Sequence, residues 1–164
     1  MQELGAWHEF LVMLGGAAAA LTGLVFVAMS IHLREISSIP IHRARARATL
    51  IGLICTVLLC GFALFPQSVK EFGLKLIVFG VVLIAVAIAL SANSMRLPGG
   101  WDAGRRLRVV IYIGTPLAAT VEGALRMSGI DWATAAFAAT LLLVVANAVS
   151  NAWALMLEVS TEGA

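Results

Sequence analysis

The chain has 164 residues and a formal net charge of +2; 61% of its residues are hydrophobic and 12% are charged. Soluble domains carry about 25% charged residues and about half apolar ones, so this composition excludes an ordinary water-soluble domain. The apolar residues form long runs without strict apolar–polar alternation, which excludes a transmembrane β-barrel as well.

Five apolar runs predict an all-α, polytopic transmembrane helical bundle that forms a single integral membrane domain over residues 1–164. About 20 residues cross the hydrocarbon core, and a helix satisfies its backbone hydrogen bonds within one segment. The runs cover residues 10–33, 48–65, 72–93, 109–125 and 133–157. The fourth run is the shortest and contains Pro116, so it either crosses the membrane with a kink or only dips into it.

The basic residues predict how the chain is threaded. Cytoplasmic loops of membrane proteins carry an excess of Lys and Arg, and two alternate loops here hold eight of them while the other two hold three. The eight are Arg34, Arg43, Arg45, Arg47, Arg96, Arg105, Arg106 and Arg108. This bias places the N-terminus outside and, after five spans, the C-terminus inside. The alternating Arg–Ala stretch spreads its charges around a helix, so we expect contact with anionic lipid headgroups and not with nucleic acid.

Small residues recur at helical spacing within the first three runs. In the sequence GGAAAALTG, residues 15–23, they are spaced by four and therefore share a helix face. Such faces let another helix backbone approach closely in a membrane. The seven-residue spacing in the third run favours left-handed packing. The predicted packing residues are Gly15, Gly16, Ala19, Ala20, Gly23, Gly52, Gly73 and Gly80.

Polar residues within the fifth run are candidates for function because they are costly in lipid. Asn147 and Asn151 are four residues apart, with Ser150 adjacent and Glu158 two turns further on the same side. One interpretation is interhelical hydrogen bonding, which contributes about 0.6 kcal/mol on average. The other is the lining of an ion or solute pathway. Thr22 in the first run is a further candidate for either role.

The fourth run combines a charged pair with a helix-breaking residue. Glu122 and Arg126 have the spacing of an ion pair on one helix face, and near the outer interface this pair either reaches water or marks the mouth of a pathway. Pro116 removes a backbone hydrogen bond to the carbonyl of Tyr112. The resulting break is either a packing kink or, as in many transporters, a site where carbonyls face a ligand.

The sequence contains no motif for catalysis, cofactor binding or metal binding. It lacks a zincin helix, a nucleophile elbow, a P-loop and a dinucleotide fingerprint. Cys55 and Cys60 are five residues apart on one helix, so they point in different directions and cannot pair. His8, His32 and His42 are scattered and are expected to be polar residues at the membrane interface. We therefore predict that the protein is not an enzyme and holds no cofactor.

Two stretches resemble a family of small, poorly characterised bacterial integral membrane proteins. These stretches are GGAAAALTGLVFVAMSIHLREI, which begins at Gly15, and NAWALMLEV, which begins at Asn151. In that family a small-residue stretch runs into L-T-G-L-x-F-V-A, and an N-A-W precedes aliphatic residues and Glu. Some members are labelled modulators of a membrane-bound AAA protease. The resemblance, over residues 15–30 and 151–158, implies a bacterial inner-membrane location and a regulatory role, and it brings no catalytic residues.

The combined expectation is a multi-pass bacterial inner-membrane protein that acts as an accessory or regulatory subunit through helix–helix packing. Its partner is a second copy of the chain, giving a homo-oligomer, or another membrane protein. The alternative is a small homo-oligomeric ion channel or transporter with a pathway lined by Asn147 and Asn151. A co-purifying protein would favour the first function, and a closed homo-oligomer with a hydrated axis the second.

Overall fold

The computed structural model describes residues 7–95, 103–130 and 132–162, and nearly all of them are helical. This confirms the predicted helical class, and the described residues contain no strand. The helices are α1 (His8–Ile31), α2 (Leu33–Ser38), α3 (Pro40–Leu64), α4 (Val69–Met95), α5 (Ala103–Met127) and α6 (Ala133–Glu162).

Four of these helices contain segments long and apolar enough to cross a membrane. The segments are His8–Ile31, His42–Leu64, Val69–Ala89 and Ala133–Glu158, with mean hydropathies of 2.3, 2.0, 2.7 and 1.9. The chain is therefore a helical membrane protein by length and composition. Helix α5, which contains the fourth predicted run, is not among the four, so a fifth span remains a prediction.

The segment expected to be the first arginine loop is largely helical. Ile39 is extended, with φ −108° and ψ 119°, and Pro40 is the first residue of α3. A residue before proline avoids the helical conformation, while proline itself is favoured at the first helical position. The Arg and Ala residues that follow are strong helix formers, so α3 starts at Pro40 instead of residue 48. Arg96 of the second arginine loop lies outside the described residues.

The chain divides into two compact units, which are described separately. One unit covers residues 66–140, comprising α4, α5 and the start of α6; the other covers residues 2–65 and 141–164. The prediction of one domain over the whole chain remains a prediction.

The turn between α5 and α6 positions the polar residues of the first unit. Gly129 has φ 75°, in the left-handed region that glycine adopts without strain. Its amide donates to the carbonyl of Arg126 at 3.1 Å, and the amide of Ile130 donates to the carbonyl of Leu125 at 3.2 Å. This pair of bonds is a Schellman motif. It ends α5 at Met127 and lets α6 begin at Ala133.

The second unit has an apolar core at the end of α1. Met29, Ile36, Ala46 and Leu155 are buried together and come from α1, α2, α3 and α6. The polar residues at the start of α3 therefore lie beside an apolar cluster. Burying a polar group there costs free energy unless it has a hydrogen-bond or charge partner.

Candidate functional site

The small residues of α1 lie on two different sides of the helix. Gly15 faces α3, since a Cβ added there would lie 3.1 Å from Cys60 Cβ. Gly16, Ala19, Ala20 and Gly23 are exposed on the chain surface. The single packing stripe expected from the four-residue spacing is thus divided between an internal contact and an outward face.

The buried residues of α1 are Leu11, Leu14, Ala18 and Met29. Large apolar residues such as Phe26 and Val27 are exposed on the same helix, as expected for a helix surface that faces lipid. We call Gly16, Ala19, Ala20 and Gly23 the outward small face; a Cβ added at Gly16 or Gly23 would meet nothing within 4 Å.

In contrast, the glycines of α4 lie at its contact with α5. A Cβ at Gly73 would lie 2.8 Å from the carbonyl oxygen of Gly123, and a Cβ at Gly80 would lie 2.9 Å from that of Pro116. Real Cβ atoms do not approach backbone oxygens this closely, so α4 and α5 pack backbone to backbone. At Gly52 on α3, a Cβ would make an ordinary 3.6 Å contact with Val144.

Helix α5 continues without interruption through Pro116. The proline is buried, and its carbonyl accepts a hydrogen bond from Thr120 Oγ1 at 2.9 Å. The broken-helix alternative, in which backbone carbonyls face a ligand, is therefore not what the described part of α5 adopts. Pro116 instead belongs to the close contact between α4 and α5.

Glu122 and Arg126 lie inside the first unit, with exposed fractions of 5% and 4%. The expectation that this pair reaches water is wrong for the chain as folded. Thr140 Oγ1, on α6, donates a 2.6 Å hydrogen bond to Glu122 Oε1. The guanidinium is attracted electrostatically to the carboxylate one helical turn earlier. Together the two residues form a buried cluster whose formal charges cancel.

Two aromatic rings complete the surroundings of Arg126. Its Cζ lies 4.9 Å from the centre of the Phe72 ring and 5.5 Å from that of Phe137. The two rings meet edge to face, with centres 5.5 Å apart. A desolvated cation over an aromatic face is stabilised by about 2 kcal/mol or more. One side chain from each of α4 and α6 therefore holds the arginine of α5.

The opposite side of α5 is apolar and exposed. Its exposed residues between 113 and 127 are Gly114, Leu117, Val121, Ala124 and Met127, spaced by three or four and thus on one face. Its charged residues in that range are the buried ones. This arrangement is the reverse of a helix on a water-soluble protein, where the polar face is outward.

A second polar cluster joins the start of α3 to the end of α6. Arg45 Nη1 donates to Glu158 Oε2, and His42 Nε2 lies 3.4 Å from the same oxygen. His42 is buried within the chain, with 4% exposure, and its placement at the membrane interface remains a prediction. Arg43 and Arg47 are exposed, which separates them from the internally paired Arg45.

The polar residues in the membrane-length segments differ in whether their side chains form hydrogen bonds within the chain. Thr22 Oγ1 donates to the carbonyl of Ala18 at 2.7 Å, and Ser150 Oγ donates to that of Ala146 at 2.8 Å. Asn147 and Asn151 are half-buried, and neither amide side chain forms a hydrogen bond to another described residue.

Sequence reasoning missed the residues that approach each cluster from other helices. For Glu122 and Arg126 these are Thr140, Phe72 and Phe137, and no local pattern in the sequence links them. His42 and Arg45 could have been found, because starting α3 at Pro40 places them on one helix face.

The described residues thus provide two surfaces for contact, the outward small face of α1 and the apolar side of α5. Their buried charged residues lie beside groups of opposite charge within the chain. Among the described residues no group of three or more His, Cys, Asp or Glu side chains could hold a metal ion. No protein-family model matches the chain, and comparison with curated proteins and with solved structures gives no match either.

Proposed function

We propose that the chain is a five-span protein of the bacterial inner membrane, with its N-terminus outside and its C-terminus inside. Support for the fifth span comes from residues 113–127 of α5, whose outward residues are apolar and suited to lipid. The two charged residues in this range, Glu122 and Arg126, face the protein, where polar groups in membrane proteins belong. The arginine bias of the alternate loops supports the orientation, and the family resemblance supports the bacterial inner membrane.

Within that membrane, the protein acts as an accessory or regulatory subunit through helix–helix packing and has no catalytic chemistry of its own. The observation that carries this proposal is the outward small face of α1, which no described helix covers. Small residues on a lipid-facing surface bring little apolar area to the lipid but permit close helix contact. The occupant of this face is a second copy of the chain or a partner membrane protein.

Two further features support this function. The exposed Arg43 and Arg47 are placed to contact anionic headgroups at the cytoplasmic surface, while Arg45 is used internally. The resemblance to bacterial membrane proteins, some labelled modulators of a membrane-bound AAA protease, favours a regulatory role over transport.

Leucine substitutions on α1 test the proposal. Gly16→Leu and Gly23→Leu add a branched side chain to the outward small face, and both sites are open within the chain. We expect normal folding of the chain but loss of its association. Ala17→Leu is the matched control, since Ala17 is also exposed but lies roughly 100° around the helix from Gly16.

The readout is the mass of the intact complex in nanodiscs together with thermal unfolding. The proposal expects smaller complexes for both glycine variants and unchanged complexes for Ala17→Leu. Unchanged complexes in all three variants would show that the outward small face is not a contact surface.

A homo-oligomeric channel or transporter is the second candidate function. It is favoured by Asn147 and Asn151, whose amides lack partners among the described residues although they lie in a segment of membrane-spanning length. Such groups must meet protein or water in the membrane. Asn147→Asp separates the two functions: a dry interface predicts strongly reduced expression, because a midplane aspartate costs about 2.5–3.5 kcal/mol on insertion scales. Normal expression of this variant with ion flux in liposomes would favour the channel.

A further inference from the structure

Helix α5 differs from the other long helices in what suits it to a membrane. Each of the other four contains a segment apolar enough to cross a membrane by itself, and the described part of α5 contains none. Its residues 113–127 are apolar on the outward side and carry Glu122 and Arg126 on the side that faces the protein. Charged side chains in a membrane segment are costly when they meet lipid. As a helix without neighbours, α5 would therefore be poorly suited to the bilayer.

The side chains that cover this charged pair come from the two neighbouring helices. Thr140 Oγ1, near the start of α6, donates to Glu122 Oε1 at 2.6 Å. Phe72 of α4 and Phe137 of α6 place their ring centres 4.9 and 5.5 Å from Arg126 Cζ. Rings over a desolvated guanidinium stabilise it, and a hydroxyl donor stabilises a carboxylate. The partners named here all lie outside α5, so the helix depends on its neighbours to cover its charges.

Two glycines of α4 bring that helix close enough to α5 to cover the pair. A Cβ at Gly73 would lie 2.8 Å from the carbonyl oxygen of Gly123 and 3.6 Å from Arg126 Cβ. A Cβ at Gly80 would lie 2.9 Å from the carbonyl oxygen of Pro116. The two glycines are seven residues apart, which is about 10 Å along a helix. A side chain at either glycine would hold α4 away from α5 and leave the charged pair less well covered.

We propose that α5 enters the membrane as the packing partner of α4 and not through its own hydropathy. This inference rests on the proposed fifth span and adds the condition on which that span depends. The chain is made from its N-terminus, so α4 is already present when α5 emerges. The glycine surface of α4 lets Glu122 and Arg126 turn away from lipid, and the start of α6 then adds the hydroxyl and the second ring. The contact between α4 and α5 thereby determines on which side of the membrane the turn after α5 lies.

Cysteine labelling at the turn between α5 and α6 tests this dependence in the full chain. Ser128 is exposed, so Ser128→Cys in a background without Cys55 and Cys60 reports the side on which the turn lies. With the N-terminus outside and α5 across the membrane, an impermeant maleimide should label this cysteine in intact cells. Gly80→Leu blocks the contact with α5 and should lose most of that labelling. The labelling is measured on newly made chains, relative to the same chains after the membrane is opened.

Two further variants separate the loss of this contact from other effects of an added leucine. Ala85→Leu is the matched control, because it also adds a leucine to α4 but at an exposed position; it should leave the labelling unchanged. Adding Glu122→Leu and Arg126→Leu to Gly80→Leu removes both charges from the inward side of α5. This helix then no longer needs α4 to cover them, and external labelling at position 128 should return.

The outcomes distinguish this inference from the proposed function. If Ser128→Cys alone is not labelled from outside, the fifth span is contradicted and the inference fails with it. If that chain is labelled and Gly80→Leu is labelled equally, the fifth span stands and the dependence of α5 on α4 is overturned. Equal loss of labelling in Ala85→Leu, or no return of labelling after the double substitution at Glu122 and Arg126, would also overturn it, since the covered charges would then not be the cause.

Discussion

A methyl group added at Gly123 tests whether α4 and α5 pack backbone to backbone. A Cβ at this position would lie 2.6 Å from the carbonyl oxygen of Gly73 and 2.9 Å from Ile77 Cγ1. The isoleucine side chain can move, but the carbonyl belongs to a continuous helix and can move only with its backbone. Gly123→Ala must therefore separate the two helices locally.

The expected magnitude follows from two opposing contributions. Replacing glycine by alanine within a helix stabilises it by about 0.5–1 kcal/mol, while an extra carbon in a close-packed contact costs about 1–3 kcal/mol. Gly114→Ala on the same helix has only the first contribution, because a Cβ there meets nothing within 4 Å. The difference in unfolding free energy between the two variants is then the overpacking cost, about 1–3 kcal/mol, with Gly123→Ala less stable.

Reversible unfolding in mixed micelles, with rising denaturing detergent and helicity followed by circular dichroism, measures this difference. Both variants are compared with the original chain in one detergent series. Equal stability of Gly123→Ala and Gly114→Ala would refute the close approach of α4 and α5. It would also remove the structural basis for placing Glu122 and Arg126 inside this unit.

Two further predictions concern the buried cluster of α5 and use the same unfolding assay. Thr140→Val removes the donor to Glu122 and should cost about 1–3 kcal/mol, while Thr140→Ser keeps the hydroxyl and should remain near the original stability; equal loss in both would contradict this hydrogen bond. Arg126→Met removes the electrostatic attraction to Glu122 together with the cation contacts on Phe72 and Phe137, and should cost about 2 kcal/mol or more. Adding Glu122→Gln to that variant should recover part of the loss, and no recovery would contradict the charge coupling.

The helical class and the positions of the apolar runs could be predicted because hydropathy depends on local composition. The start of α3 could not be predicted from apolar content, since the residues from Pro40 to Arg47 are partly charged. Their helicity comes from backbone preferences, namely proline at the first position and helix-forming Arg and Ala after it. Both contributions are visible in the sequence but are not measured by hydropathy.

Of the candidate site, the sequence predicts which residues share one face of a helix, but it does not predict which other helix that face contacts. Spacing places Gly15 and Gly23 of α1 near one side of the helix, but it does not say that Gly15 meets Cys60 while Gly23 is exposed. That division depends on the neighbouring helix. In the same way, the spacing of Glu122 and Arg126 predicts a pair, whereas their burial depends on side chains contributed by α4 and α6.

The number of spans decides on which side of the membrane each end of the chain lies, and cysteine labelling measures this directly. In a background without Cys55 and Cys60, single cysteines replace Gln2 or Gly163, and intact cells are treated with an impermeant maleimide. Five spans predict that the cysteine at position 2 reacts, while the one at position 163 reacts only after the membrane is opened. Reaction of both positions in intact cells, or protection of both, would place the two ends on the same side and contradict a membrane crossing by α5.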